Sequence, residues 1–300
     1  MREAFRASKV ATQMGTQIHA GDNFRRVVEL VQGGAIGAVR EAHVWCGRTI
    51  NPVGEVVLPG QEVPEWFDWN MWLGPAAERE YNVGYWKGGN LNWNRRWEFG
   101  NGVLGDMGSH LIDLPWWALQ LSAPLTVEAE GPAVDPVACP PWMRVTWEHG
   151  PRPGSAALDV PVKVVWYHGG GSHRPSLKTG MDLSKWGNGI LFVGDGGMLL
   201  ADYGKRVLLP EEKFQGYEAP EPSIPASLGH HAEWLAACKT GSTTTCNFEY
   251  SGSLIEHNLL GSAAYRTGKK LEWDAAAMKV TNAPEAGEYL TREYREGWGI

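Results

Sequence analysis

Asp106, His110 and Asp113 stand four and three residues apart inside Gly100–Trp117, the stretch of this chain whose residue types suit proton chemistry. Stepped at about 100° per residue, Asp106, His110, Asp113 and Trp117 fall within a narrow arc of one helix face. Met107, Leu111, Leu114 and Ala118 fall on a neighbouring arc and supply a packing stripe. An imidazole has the unperturbed pKa nearest neutrality, so His110 can give or take a proton at working pH. A carboxylate one turn away can fix the tautomer of the ring or bind a substrate hydroxyl. The competing reading is a structural His–Asp contact that satisfies a buried ring. Gly100, Gly102 and Gly105 just ahead favour the chemical reading, since glycine lets backbone approach a ligand closely. Burying three ionisable groups is costly unless each is paired. The polar stripe is therefore expected to look away from the core, with Asp106 and His110 as one unit facing a cleft.

The walls of such a cleft are expected from Asn92-Trp93-Asn94-Arg95-Arg96-Trp97, a run of amide, guanidinium and indole groups suited to polyhydroxylated ligands. This run closes a long irregular region, Thr49–Phe99, punctuated by Gly and Pro and loaded with aromatics. Loops of that length in a compact domain are usually functional or disordered, and the density of Trp and Tyr argues for order. The chain holds 16 Trp, a large excess that core packing must absorb in most cases.

The surrounding elements follow from periodicity. Residues 1–8 read as the last turns of a helix, and Lys9–Met14 as a short strand. Asp22 or Asn23 is expected to cap a helix over Phe24–Gln32, ended by Gly33-Gly34. Ala38–Arg48 reads as a strand, as do Leu125–Ala129, Trp142–Glu148, Val160–Tyr167, Ile190–Val193, Met198–Ala201 and Arg206–Leu209. Gly169-Gly170-Gly171 and Asp195-Gly196-Gly197 mark turns between them. Strands that follow one another without helices imply an antiparallel sheet with one packed and one free face. The pattern turns helical again over His230–Lys239 and Tyr250–Thr267.

Composition sets the outer limits. The chain is 43% hydrophobic and 20% charged with a formal net charge of -7, which argues against a nucleic-acid footprint. No apolar run approaches the ~20 residues a membrane crossing needs. Cys46, Cys139, Cys238 and Cys246 form no CxxC pair, so neither a zinc site nor a disulfide framework is indicated, and no metal site is expected. His230-His231 lacks a carboxylate or Cys at metal spacing. A reducing, cytoplasmic setting is the default.

Taken in order, these parts resemble the Gfo/Idh/MocA oxidoreductase family. The likeness rests on Thr-Gln-Met-Gly-Thr-Gln-Ile-His at 12–19, Gly-Ala-Ile-Gly-Ala-Val-Arg at 34–40, and Gly-x-Gly-x-x-x-Asp-x-x-x-His-x-x-Asp at 100–113. Three later segments, Glu-Trp-Leu, Asn-Phe-Glu and Gly-Lys-Lys-Leu-Glu-Trp-Asp, are similar too. The resemblance implies an NAD(P)-dependent oxidoreductase acting on a sugar, polyol or sugar derivative. It also implies an α+β fold with an open antiparallel sheet, helices on one face, of the glyceraldehyde-3-phosphate dehydrogenase-like C-terminal type. Asp106 and His110 map to the pair that stands beside the nicotinamide, with His110 as general acid/base and Asp106 orienting it or binding a hydroxyl. Gln13 and Gln17 map to the border of the cofactor cleft, and Trp93, Arg95, Asp113 and His19 to substrate binding.

One departure is severe. No Gly-x-Gly-x-x-Gly follows an initial strand and no Glu-Lys-Pro is present, while a βαβ unit alone needs ~30 residues. Residues 1–33 are therefore expected to be a remnant of a Rossmann domain, and 34–300 the substrate and oligomerisation domain. NAD or NADP is expected in a fuller protein and no useful affinity for it in this chain alone. The resemblance leaves room for a redox-neutral NAD-dependent glycoside-processing enzyme, or for a non-catalytic sugar-binding protein. A homo-oligomer through the free sheet face is expected in each case.

Overall fold

A computed structural model describes residues 1–50, 57–170 and 174–299. Its centre is a sheet whose strands are β1 (Val39–Cys46), β2 (Thr126–Glu130), β3 (Met143–His149), β4 (Val162–His168), β5 (Asn188–Gly194), β6 (Gly197–Ala201), β7 (Arg206–Leu209), β8 (Leu271–Asp274) and β9 (Lys279–Val280). They lie in the order β7-β6-β5-β1-β4-β3-β2-β8-β9. Neighbouring strands run antiparallel except at the centre, where β1 and β4 are parallel with Ala42 opposite Val164 and Val44 opposite Trp166. A parallel pair needs a long crossover, and the chain between these strands supplies one through helices on one face of the sheet.

The helices are α1 (Arg2–Ser8), α2 (Asp22–Gln32), α3 (Trp69–Leu73), α4 (Asn90–Trp93), α5 (Gly102–Leu111), α6 (Asp113–Ala118), α7 (His230–Thr240) and α8 (Phe248–Thr267), of which α3 to α6 lie between β1 and β4. Period-two alternation decides what they pack on. Met143, Val145 and Trp147 of β3 join the core with Val162, Val164 and Trp166 of β4, while Arg144, Thr146 and Glu148 turn outward. Phe24, Val27, Val28 and Val31 of α2, Leu104 and Leu111 of α5 and Leu254 and Leu260 of α8 close the same core.

The other sheet face is divided rather than free throughout. Beside β1, β5 and β6 it is covered by Leu183 and Trp186, which pack on Trp45, Leu191 and Leu200. Beyond β4 it is polar and ion-paired, with Lys163 to Glu41 at 2.9 Å, Lys270 to Glu148 at 2.9 Å, and Arg144 to Glu130. The aromatics of 57–99 form a satellite cluster in which Trp69, Leu73, Tyr81 and Tyr85 are buried. The order expected of this region from its Trp and Tyr content holds there. Its residues 51–56, and Gly171 of the glycine turn, lie outside the described residues.

Four expectations change. Lys9–Met14 is not a strand, because its bonds are a mixture of backbone and side-chain contacts to 244–248. Met14 N donates to Cys246 O (3.0 Å), Thr244 Oγ1 to Thr12 O (2.6 Å) and Phe248 N to Thr12 Oγ1 (3.1 Å). Helix α2 is capped by Gly21 without a side-chain bond; Asn23 is committed instead to Asp202 O and Lys205 O across the core. The single helix expected over Gly100–Trp117 is broken at Ile112. Pro115 has no N–H for the carbonyl one turn back, so the ladder lapses there. Finally β8 and β9, unmarked by any strong alternation, extend the sheet past β2.

Candidate functional site

Helix α5 carries Asp106 and His110 on its exposed flank and Met107 and Leu111 in the core, as the arc pattern requires. The three glycines at its start serve chain packing rather than a ligand. A Cβ on Gly100 would sit 2.7 Å from Asn94 Cα, one on Gly102 2.8 Å from Cys139 Cβ, and one on Gly105 2.5 Å from Asn101 Cβ. Gly102 also has φ +61°, which glycine adopts without strain. The close approach expected at these positions is therefore real, but its partners are Asn94, Asn101 and Cys139.

Asp106 is ion-paired with Arg48, which follows β1 directly. It also lines a cavity of about 340 Å³ together with Trp93, Asn94, Phe99, Asn258 and Leu259. His110 is half-buried one turn further along, and its Nδ1 is sealed without any hydrogen-bond partner. Burial pushes its pKa below the ordinary histidine value, outweighing the pull of the Asp106 and Asp113 carboxylates; Arg48 works in the same direction as burial. The ring is thus neutral near pH 7, the form that accepts a proton. Tyr203 belongs to this neighbourhood as well. Burial holds its phenol protonated well above the usual range, and it feels the charges of Arg48 and Asp106. Sequence reasoning missed Arg48 and Tyr203, since neither sits at a motif spacing and each arrives from a different strand end.

Asp113 does not share this stripe. It is fully buried and accepts from His19 Nδ1 at 3.0 and 2.9 Å and from Tyr250 OH at 2.6 Å. His19 is itself buried, stacked on Trp117 at 4.1 Å and set edge-on to Tyr250 at 5.2 Å. Burial alone would lower the His19 pKa, but the Asp113 charge and hydrogen bond raise it to about 10. The expectation that Asp113 looks away from the core is overturned. It faces His19, and a buried charge pair meets the pairing condition that exposure was meant to avoid.

Of the remaining candidates, Trp93 stands at the cavity with Asp106, while Arg95 holds Asn92 Oδ1 and is not among the cavity walls. Its neighbour Arg96 turns inward, with its guanidinium 4.9 Å from the Tyr85 ring centre. Gln13 donates to His230 O at 2.7 Å and keeps a buried Oε1 without a partner, whereas Gln17 is exposed. An open amide oxygen suits the edge of a nicotinamide, but a dinucleotide also needs its pyrophosphate held by a glycine turn between a strand and a helix N-terminus. Gly100-Asn101-Gly102-Val103-Leu104-Gly105 has the glycine spacing, yet it follows a loop and its Cβ directions are filled by protein. Residues 100–105 therefore do not build a cradle for a dinucleotide. Among the described residues, no group of three or more His, Cys, Asp or Glu could hold a metal ion, and no helix is long and apolar enough to cross a membrane.

Comparison with known proteins bears on this arrangement. Residues 25–152 match the Gfo/Idh/MocA model described as "Oxidoreductase family, C-terminal alpha/beta domain". No curated protein matches the sequence. Among solved structures, aldose-aldose oxidoreductase from Caulobacter crescentus complexed with glycerol aligns with a TM-score of 0.50 and 13% identity, over 91% of this chain and 67% of that one. The dehydrogenase candidate from Bordetella bronchiseptica RB50 aligns with a TM-score of 0.52 and 13% identity, over 91% of this chain and 72% of that one. A levoglucosan dehydrogenase in complex with NADH aligns at a TM-score of 0.48 and 11% identity, over 90% and 68%. At such identities the likeness is one of fold alone, that of an open, mostly antiparallel sheet with helices.

Proposed function

We propose that this chain, whose residues 25–152 carry the C-terminal domain of the Gfo/Idh/MocA oxidoreductase family, is the substrate-binding and proton-transfer half of an oxidoreductase for a sugar, polyol or sugar derivative. What supports the proposal is the Asp106 carboxylate on a cavity wall, with half-buried His110 one turn along the same helix. Four residues of helix span about 6 Å, so the two side chains stand near each other, although His110 is not among the cavity walls. A sugar ring lies against Trp93 in the cavity, with a hydroxyl on Asp106. The Arg48 guanidinium holds that carboxylate in place at the cavity wall. Neutral His110 takes the proton of the hydroxyl being oxidised. The hydride acceptor of such a reaction would be NAD or NADP. Binding and proton transfer are what these residues contribute.

In the oxidoreductase with its cofactor and cofactor domain present, His110→Ala should lower turnover by on the order of 10²–10⁴-fold and leave the melting temperature nearly unchanged. A His110→Ala protein that remains active but melts early would return the pair to a structural role. Sugar binding without turnover in the complete protein would favour the non-catalytic alternative.

A further inference from the structure

The cavity beside Asp106 does not end there. A second cavity of about 400 Å³ shares Trp93 and Phe99 with it and extends past Trp72. A third, of about 810 Å³ between α8 and the C-terminal segment, shares Glu98 and Arg292 with the second. It also shares Asn101 and Leu259 with the first. Each cavity thus shares wall residues with both others, so the three lie side by side as a groove of adjoining cavities from Asp106 past Phe99. Pockets of about 300–1,000 Å³ enclose a drug-sized ligand, so the first cavity alone is near the lower bound and the groove far exceeds what one sugar ring fills.

Its walls combine the two features that recognise saccharides. Trp72, Trp93 and Phe99 offer flat apolar faces for the C–H surface of a pyranose ring. Beside them stand polar side chains able to pair with sugar hydroxyls, Asn94 and Asn258 at the first cavity and Ser262 at the third. Charge narrows the class further. The third cavity sets Glu288 and Glu293 against Arg266 and Arg292, with Glu98 already ion-paired to Arg79, and so offers no net positive charge to phosphorylated or uronate extensions. Arg266 is moreover occupied over Trp97 and Tyr289, with its guanidinium carbon 5.1 and 4.1 Å from their ring centres.

We propose that the groove takes an uncharged substrate of at least two sugar rings, with the reacting ring beside Asp106 and the second between Trp72 and Arg292. This rests on the reading of Asp106 as the sugar-binding end. Arg292 is exposed and its Nη1 donates to Glu98 O at 2.7 Å, so its removal leaves the fold intact and tests the second subsite alone.

The test is isothermal titration calorimetry of the full chain with glucose, galactose, maltose, cellobiose and lactose. At least one disaccharide should bind about tenfold tighter than its constituent monosaccharides. Arg292→Ala should abolish that advantage while leaving monosaccharide affinity unchanged, and Asp106→Asn should weaken both ligand classes. Equal affinity for mono- and disaccharides, still sensitive to Asp106→Asn, would overturn the second subsite and leave the first standing. Sugar binding indifferent to Asp106→Asn, or none at all, would overturn both.

Discussion

Two histidine–aspartate neighbourhoods lie within two turns of each other on α5 and α6, and they are built to opposite ends. At the first, His19 and Asp113 are buried and saturate one another, with Tyr250 and Trp117 closing the remaining directions. At the second, Asp106 is held by Arg48 at a cavity wall and His110 keeps a sealed nitrogen with nothing to bond. The residue types are the same. What differs is whether bonding capacity is spent inside the protein, where it stabilises, or left unspent beside a cavity wall.

The sharpest way to break this comparison is to exchange the consequences of mutation. Asp113→Asn strands a histidine in the core and should cost about 3–5 kcal/mol of stability by thermal or urea unfolding. His110→Ala should cost less than about 1 kcal/mol in the same measurement. Equal losses would erase the distinction between the two sites.

A pH series sharpens it further. His19 has a folded pKa raised to about 10, above its unfolded value near 6.5. The folded state therefore binds the extra proton, and this stabilisation is complete below pH 6.5 and lost as pH rises to about 10. Stability should fall by up to about 1.4 kcal/mol per pH unit across that window, and Asp113→Asn should flatten the slope. His149 behaves oppositely. Burial, aided by Arg152, lowers its pKa to about 4, so its contribution is present above pH 6.5 and lost as pH falls toward 4. A stability profile that keeps rising from pH 7 to 10 in the wild-type chain would contradict the His19–Asp113 assignment. Tyr250→Phe, which removes a 2.6 Å bond to Asp113, should cost about 1–2 kcal/mol without changing sugar affinity, less than Asp113→Asn and more than His110→Ala.

The sequence by itself determined the parts whose signal is periodic. Alternation in Trp142–Glu148 and Val160–Tyr167 placed β3 and β4 within two residues, and 3.6-residue spacing placed α2, α5 and α8, because a strand or helix face must bury its apolar residues together. It also brought Asp106 and His110 onto one flank of one helix, since four residues return to the same side. Local pattern failed where a proline or a remote partner intervened. Pro115 ended α5 early, and the parallel β1–β4 pairing crosses more than a hundred residues that no spacing rule spans.

The tertiary structure alone decided which ionisable groups are free. Asp113 shares its sequence arc with His110, yet the break at Ile112 and the arrival of His19 from 94 residues away commit it to the core. Arg48 and Tyr203 reach Asp106 from the ends of β1 and β6, and the groove past Phe99 exists only because the C-terminal segment lies beside α8. Helix and strand periods are properties of a local backbone. The satisfaction of a charge or a hydrogen bond is a property of whatever the fold brings within 3 Å, and that can be any residue in the chain.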